Sequence, residues 1–325
     1  MEMVLQIVLL LLGFVALIKG ADLFVDGSSS LAAIFKVPSV IIGLTIVAMG
    51  TSAPELAVST SAALKGSNEI ALSNVVGSNL FNLLMVLGVC ALIKPLPIDK
   101  VIKKRDFPFS LIVTVLLLVV LGVGVVTSTD FSTVRMNDNV AILSRPIGIV
   151  MLVLFILYIA VLIYAAKKNK TEGEPVKTMT PLKSVLFILF GLGLIIAGGQ
   201  FVVNSAKYIA AALGMSETLI GLTVVAVGTS LPELVTSIVA SRKGENGLAV
   251  GNVVGSNLFN LLLILGVSAT LNPIPVNFAS MIDLAIMAAV SVMVFLFCLG
   301  KKINRVEGVV MILIYIGTVV FAALR

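Results

Sequence analysis

Two segments of this 325-residue chain are copies of one another. Residues 43–88 align without a gap onto residues 221–266, and 30 of the 46 positions are identical. The same offset pairs Asp22 with Gln200 and Asp26 with Asn204, so the duplication begins upstream of the similar segments. A repeat of this length predicts two structural units of related fold.

Long apolar runs include and surround both copies. The chain is 59% hydrophobic and 12% charged, with a mean hydropathy of +1.18, which is typical of a protein that lies in a bilayer. Runs such as 110–126 and 146–165 are apolar on every face, whereas the strands of a β-barrel would alternate. Because a span needs about 20 apolar residues, we expect about ten transmembrane helices and no soluble domain. The predicted spans are residues 3–25, 38–64, 69–93, 107–127, 146–166, 182–204, 217–240, 247–270, 281–299 and 306–323.

Each unit therefore contains about five spans. A unit with an odd number of spans, followed by its copy, must insert the copy upside down. We predict an all-α membrane protein of two inverted five-helix repeats, at residues 1–166 and 182–325, joined by a linker at 167–181. Inverted repeats are typical of secondary transporters, whose sites lie between the repeats on interrupted helices.

Lysine and arginine are unevenly distributed between alternate loops. One set of loops carries sixteen of them and the other set five. Because these residues accumulate on the cytoplasmic side, both termini are predicted to lie outside the cell, extracellular or periplasmic, and the linker inside. The net charge of +6 then reflects membrane topology and not a nucleic-acid partner.

The histidine and cysteine content excludes some classes of enzyme and argues against disulfide bonds. The chain has no histidine, which excludes Ser-His hydrolases and the His-bearing zinc proteases. Its two cysteines, Cys90 and Cys298, lie in apolar segments at positions that the repeat does not pair, so no disulfide framework is expected.

Each copy carries a proline in the middle of an apolar run, at Pro54 and Pro232. Proline lacks an amide donor, and its ring clashes with the carbonyl four residues earlier, so we expect each helix to break there. Carbonyl oxygens freed before the break, at 48–51 and 226–229, would face a cavity lined by protein. They are hard oxygen donors.

A glutamate follows each proline, at Glu55 and Glu233, and hydroxyl residues precede it by three and four positions on the same helical face. The hydroxyl residues are Thr51 and Ser52 in the first copy and Thr229 and Ser230 in the second. An ionised side chain in mid-membrane costs about 3 kcal/mol on insertion scales, and neither motif has a basic residue nearby. The expected partner is a metal ion; the alternative is a structural pair of protonated acids.

A polar stripe at a spacing of four residues follows in each copy. Its members are Asn74, Ser78 and Asn82, and in the copy Asn252, Ser256 and Asn260. Gly77 and Gly255 beside it favour close helix contact. An oxygen-only donor set suits Ca²⁺ or Na⁺ and argues against zinc, copper or iron. Asparagine and serine also hold membrane helices together, so the stripe has a structural interpretation as well.

Three charged residues, Lys19, Asp22 and Asp26, lie at the inner end of the first predicted span. We interpret them as a local ion pair with a snorkelling lysine. A role of the two acids in a vestibule that leads to the site is the alternative.

The motifs resemble those of the calcium/cation antiporter superfamily, which carries G-T-S-x-P-E followed by G-S-N-x-x-N. Both copies match this pattern. The resemblance implies that the first and sixth helices slide across the other eight, and it implies a set of ion ligands. The implied ligands are Thr51, Ser52, Glu55, Ser78 and Asn82, with Thr229, Ser230, Glu233, Ser256 and Asn260, and the carbonyls of Ala48 and Ala226. The linker is too short for the calcium-sensing region of animal members, and the expected location is a prokaryotic plasma membrane.

We therefore predict an electrogenic antiporter that exchanges Na⁺ for Ca²⁺, with the ions as substrates, no cofactor, and a monomer in the lipid bilayer. A proton/calcium exchanger is the nearest alternative, because a buried carboxyl can bind a proton in place of a metal. Its relatives, however, usually carry a G-N-x-x-E motif. A cation channel and an intramembrane enzyme are further alternatives. Two non-equivalent copies in one chain disfavour a symmetric pore, and no nucleophile and base accompany the carboxylates.

Overall fold

The structure is a computed structural model that describes residues 2–66, 69–128, 133–168, 178–214 and 226–324. Within these ranges the chain forms twelve helices and four short strands. The helices are α1 (Glu2–Phe35), α2 (Ser39–Thr51), α3 (Ala53–Leu64), α4 (Ile70–Ile93), α5 (Ile102–Val126), α6 (Arg145–Lys168), α7 (Pro181–Ala212), α8 (Ala226–Thr229), α9 (Leu231–Arg242), α10 (Asn246–Leu271), α11 (Phe278–Leu299) and α12 (Arg305–Leu324). The strands are β1 (Leu96–Pro97), β2 (Asn139–Leu143), β3 (Ile274–Asn277) and β4 (Lys302–Ile303).

The helices account for nine membrane spans among the described residues. Eight are long and apolar enough to cross a bilayer alone, and α2 with α3 forms a ninth span that is bent by 49°. The predicted span at 217–240 begins in residues outside the described ranges, and α8 and α9 cover its remainder. Most of the predicted linker, at 169–177, is likewise outside the described residues.

The first and sixth spans are longer than predicted. We expected them to end near residues 25 and 204, but α1 continues to Phe35 and α7 to Ala212. The 34 residues of α1 extend about 50 Å, well beyond a hydrocarbon core of about 30 Å. In the added turns of α1, Ser30 Oγ accepts a hydrogen bond from Ser184 Oγ of α7 at 2.9 Å.

Glycines hold α1 and α7 together along this length. They recur every seven residues on α1 and face small residues of α7, and the pairs run in opposite directions along the two helices. The pairs are Gly13 with Gly198, Gly20 with Gly191 and Gly27 with Ser184. A Cβ on Gly20 would lie 2.8 Å from the Gly191 carbonyl oxygen, so the two backbones touch. Small residues at a seven-residue period are what such a close antiparallel pair requires.

Helices α4 and α10 form the centre of the protein. In their apolar stretches 72% and 94% of the residues are buried inside the protein, against at most 39% for the other single-helix spans. Both contain a π-helical turn at the same position of the repeat, Asn82–Val86 in α4 and Phe259–Ile264 in α10. Such turns widen a helix locally and are frequent at functional sites.

The strands join the two repeats at both ends of the molecule. β1 follows α4 and pairs with β4, between α11 and α12. β3 follows α10 and pairs with β2, between α5 and α6. Each repeat therefore pairs the end of its third span with a loop of the other repeat, which agrees with the duplication.

Candidate functional site

The two helices that carry the G-T-S-x-P-E motif each break one residue after the threonine of that motif. Ser52, with φ −84° and ψ 7°, separates α2 from α3, and Ser230, with φ −94° and ψ 7°, separates α8 from α9. We expected the breaks at Pro54 and Pro232, but these prolines lie in the first turns of α3 and α9. Proline is tolerated there because the amide it lacks would have no partner within the helix.

We expected the carbonyl of Ala48 to be free, but it is hydrogen-bonded. It accepts a hydrogen bond from the Ser52 amide at 3.0 Å, and Thr51 Oγ1 lies 3.4 Å from it. The amide of Ser52 continues the helix for one more residue, which keeps this carbonyl paired. In the second copy, the amide of Ser230 donates to the carbonyl of Val227 at 3.2 Å. Ala226 lies at the start of α8, one turn before this break.

Glu55 and Glu233 occupy equivalent places in the first turns of α3 and α9. Both are completely buried. The positive end of a helix dipole favours a carboxylate at each position. Within the described part of the chain, neither glutamate forms an ion pair with a lysine or arginine. Two acids at the centre of the protein thus lack a basic partner there.

The serines at the breaks connect the two repeats. Ser52 Oγ donates to Glu233 Oε1 at 2.9 Å, and Ser230 Oγ donates to Glu55 Oε1 at 3.1 Å. Each repeat thus binds one carboxylate oxygen of the other repeat's glutamate. The second oxygen, Oε2 of both glutamates, is buried and has no hydrogen-bond partner among the residues that the structure describes. A buried carboxylate oxygen without a partner is costly unless a cation completes it.

The remaining hydroxyl residues of the motif surround these carboxylates. Ser256 Oγ lies 3.4 Å from Glu233 Oε1, and Ser78 Oγ lies 3.0 Å from Ser230 Oγ. Thr51 Oγ1 lies 3.5 Å from Ser256 Oγ. The structure therefore brings hydroxyls from both repeats to the same place.

Asn74 and Asn252 fit the structural interpretation of the polar stripe, in which its side chains hold helices together. The Asn74 amide donates to Ser59 Oγ at 2.9 Å, and the Asn252 amide donates to Ser237 Oγ at 3.0 Å. Each also lies 3.4 Å from the backbone carbonyl of its own repeat's glutamate. They hold the glutamate-bearing helix against the helix that follows it. Ser59 and Ser237 were not identified from the sequence, although both copies carry a serine there.

Asn82 and Asn260 open or lie within the π-helical turns and are fully buried. Their side-chain nitrogens bond asparagines of the opposite repeat, Asn257 and Asn79 respectively. Their carbonyl oxygens Oδ1 have no hydrogen-bond partner in the part of the chain that the structure describes. Asn79 and Asn257 were not identified from the sequence. The stripe was defined by a spacing of four residues, and these two asparagines lie on the helix face beside it. The repetition of G-S-N in both copies was a signal that could have identified them.

The two halves of the site are not equivalent. Thr51 Oγ1 donates to Asn252 Oδ1 at 3.0 Å, and Asn252 is fully buried. In the other half, Thr229 Oγ1 has no partner within the described ranges, and Asn74 is only partly buried. The helices around the first half are closely packed, since a Cβ on Gly255 would lie 2.7 Å from Ala48 Cβ.

The acids of the first helix have a partner that we did not predict. Lys243 Nζ, at the end of α9, lies 2.7 Å from Asp26 Oδ1 and 3.3 Å from Asp22 Oδ1. The interpretation as a local ion pair with Lys19 is therefore wrong. The fold packs α9 against α1 and so brings a lysine that is distant in the sequence to these acids, which a local reading of the sequence cannot detect.

Comparison with known proteins assigns this architecture to a family. A family model described as sodium/calcium exchanger protein matches residues 5–164 and 183–324. The putative antiporter CaxA of Alkalimonas amylolytica is 39% identical over 97% of this chain and 98% of its own length. The sodium/calcium exchanger MaX1 of Methanosarcina acetivorans is 33% identical over 96% of this chain and 97% of its own.

A solved structure of the sodium-calcium exchanger NCX_Mj, soaked with zero Na⁺ and Ca²⁺, has the same fold. It superposes with a TM-score of 0.81 at 32% identity and covers 99% of both chains. The predicted all-α membrane fold is confirmed by this match and by the apolar helices.

Proposed function

Because the chain belongs to the sodium/calcium exchanger protein family, we propose that it exchanges Na⁺ for Ca²⁺ at the site between Glu55 and Glu233. The protein is a multi-pass membrane antiporter of cations and not an enzyme, and the ions are its substrates and not cofactors. Alternating access of this buried site to the two sides of the membrane would couple the two ion movements.

One observation carries the proposal: both glutamates present a buried, unpartnered carboxylate oxygen at the junction of the repeats. Hydroxyl and amide oxygens lie around them, and no nitrogen or sulfur ligand of the kinds that select zinc is among the twelve residues proposed below. Ca²⁺ takes six to eight oxygen ligands, and Na⁺ also prefers hard oxygen donors. The proposed ligands are Ala48, Thr51, Ser52, Glu55, Ser78, Asn82, Ala226, Thr229, Ser230, Glu233, Ser256 and Asn260.

Ala48 would contribute through its carbonyl oxygen. That oxygen already accepts the Ser52 amide, but a carbonyl has two lone pairs, and the second is available to an ion.

Charge counting distinguishes two couplings, and the family resemblance implies the one that moves net charge. The proposed ligands carry two formal charges when both glutamates are ionised, so one Ca²⁺ neutralises them. Exchange of two Na⁺ for one Ca²⁺ would be insensitive to voltage, whereas a third Na⁺ moves one net positive charge. We propose the third Na⁺ and hence electrogenic exchange. Asn260 supplies an amide and no charge, so no K⁺ should be required.

Protons are the alternative coupling ion. The observation in their favour is that the buried glutamates have no basic partner in the described part of the chain. A carboxyl in such surroundings can be neutralised by a proton as well as by a metal ion. The Na⁺ proposal is supported by the relatives that are named sodium/calcium exchangers.

The deciding experiment measures calcium uptake into proteoliposomes. Vesicles loaded with Na⁺ should take up Ca²⁺, and vesicles with only a proton gradient should not. In a separate set of Na⁺-loaded vesicles, a proton ionophore sets the membrane potential through an imposed pH difference, so that K⁺ can be added or left out. Uptake driven by protons alone would refute Na⁺ coupling, flux independent of voltage would refute the third Na⁺, and a strict K⁺ requirement would refute the role given to Asn260.

Neutralising either glutamate should stop exchange. Glu55→Gln and Glu233→Gln each remove a formal charge and an acceptor from the proposed site, while the amide keeps the shape of the side chain. We expect folded protein in the membrane with calcium flux at background. Glu2→Gln, at the exposed start of α1, is the control and should exchange normally. Near-normal flux in either site variant would remove that glutamate from the site.

The same proposal includes the arrangement in the cell. We place both termini outside the plasma membrane, because the lysine- and arginine-rich loops then lie in the cytoplasm. The units are residues 1–166 and 182–325, with the linker at 167–181 inside, and the working unit is a monomer. The long helices α1 and α7 would slide together across the remaining helices. Their close glycine contacts support movement as one body.

A further inference from the structure

Four buried asparagines form a crossed set of hydrogen bonds between α4 and α10. Asn260 Nδ2 donates to Asn79 Oδ1 at 2.9 Å, and Asn82 Nδ2 donates to Asn257 Oδ1 at 3.2 Å. All four side chains are at most 3% exposed. In each bond, the asparagine that is a proposed ligand in one repeat donates to an asparagine of the other repeat. This second asparagine lies three residues before the proposed ligand of its own repeat.

The Asn260 amide has no freedom to turn over. One of its two hydrogens goes to Asn79 Oδ1 and the other to Ser78 Oγ, at 3.1 Å. Both donor positions of Nδ2 are thereby used. Its Oδ1 is left buried and without a partner. Turning the amide over would place this oxygen against the oxygen of Asn79 and direct two N–H groups into the site.

The direction of this bond originates in the backbone. Asn79 Nδ2 lies 3.4 Å from the main-chain carbonyl of Asn257, which can only accept. That contact identifies the nitrogen of Asn79 and leaves its Oδ1 facing Asn260. The fixed carbonyl of α10 therefore determines the orientation of two successive amides, and through them the exposure of Asn260 Oδ1 to the site.

We propose that Asn79 and Asn257 are positioning residues that direct Oδ1 of Asn260 and Asn82 at the transported cation. The inference rests on the proposed function, since it assigns how two of its ligands are oriented. Asparagine is suited to this position because one side chain must donate to a carbonyl and accept from an amide. Without it, the ligand amide can present N–H groups to a cation, which repel it.

Equilibrium binding of ⁴⁵Ca²⁺ to purified protein in Na⁺-free buffer tests the inference without requiring exchange. Asn79→Ala and Asn260→Ala should each weaken calcium binding about tenfold, as expected for one ligand oxygen. If Asn79 acts through Asn260, the double variant should bind no more weakly than Asn260→Ala alone. The uncrossed double variant, Asn79→Ala with Asn82→Ala, should be weaker by the product of the single effects, about a hundredfold.

Asn79→Gln provides the conservative rescue, because its amide can still donate to the Asn257 carbonyl and accept from Asn260 Nδ2, without adding charge. It should bind Ca²⁺ about ten times more tightly than Asn79→Ala. A thermal midpoint measured on every variant identifies any that fail to fold, and the Gln variant then separates a positioning role from loss of packing. Multiplied effects in the crossed pair, or a folded Gln variant that binds Ca²⁺ as weakly as the Ala variant, overturn the positioning role while leaving the calcium site intact. Wild-type protein that binds no Ca²⁺ overturns the proposed function itself, and this inference with it.

Discussion

A single methyl group should test the contact between α1 and α7. In Gly191→Ala, the new Cβ would lie 2.6 Å from the backbone nitrogen of Phe24 and 2.7 Å from the carbonyl oxygen of Gly20. Ordinary contact begins at 3.4 Å, so the two backbones must separate locally by about 0.8 Å, since neither neighbour is a side chain that could turn away. Overpacking of this kind costs about 1–3 kcal/mol.

Gly193 provides the matched control on the same helix. A Cβ at Gly193 meets nothing within 4 Å. Both substitutions gain the same helix propensity, about 1 kcal/mol, so the difference between the variants isolates the packing cost. Thermal unfolding in detergent, followed by far-UV circular dichroism, should give a midpoint several degrees lower for Gly191→Ala than for Gly193→Ala. Equal midpoints would show that the helices do not meet at this glycine.

Two further predictions concern movement and topology. A cleavable crosslink between cysteines at Asp26 and Lys243, which joins α1 to α9, should stop exchange until it is cleaved, whereas one between Glu2 and Tyr208, which joins α1 to α7, should leave exchange active. If both crosslinks stop exchange, the paired movement of α1 and α7 is refuted. A cysteine at Thr178 should react with an impermeant maleimide only from the cytoplasmic side, and labelling from outside would reverse the proposed orientation.

Hydropathy and the internal repeat predicted the membrane fold, because both depend on patterns that extend over many residues. The predicted ends of α1 and α7 were wrong, because they were read from the residues near each end alone. Asp22 and Asp26 look like the end of a span when only the sequence is read, yet Lys243 pairs with both from another helix. Pairing between β1 and β4 was also beyond prediction, since two-residue strands carry no periodic signal.

The site was predicted in outline from its unusual residues and not in its internal geometry. Glu55 and Glu233 are conspicuous because ionisable residues are rare in apolar helices. The crossed bonds from Ser52 and Ser230 depend on how the inverted copies meet, which the alignment of one copy onto the other does not contain. Asn79 was overlooked for the same reason, since its contact lies on the opposite repeat.

The position of a bound calcium ion tests the central claim most directly. Crystals grown with Ca²⁺ and without Na⁺ should show, by the anomalous scattering of calcium, one ion at the junction of the two repeats. We predict that it lies about 2.3–2.6 Å from Oε2 of both Glu55 and Glu233, the oxygens that have no protein partner. An ion bound elsewhere, with these two oxygens still without a ligand, would contradict the assignment of this site.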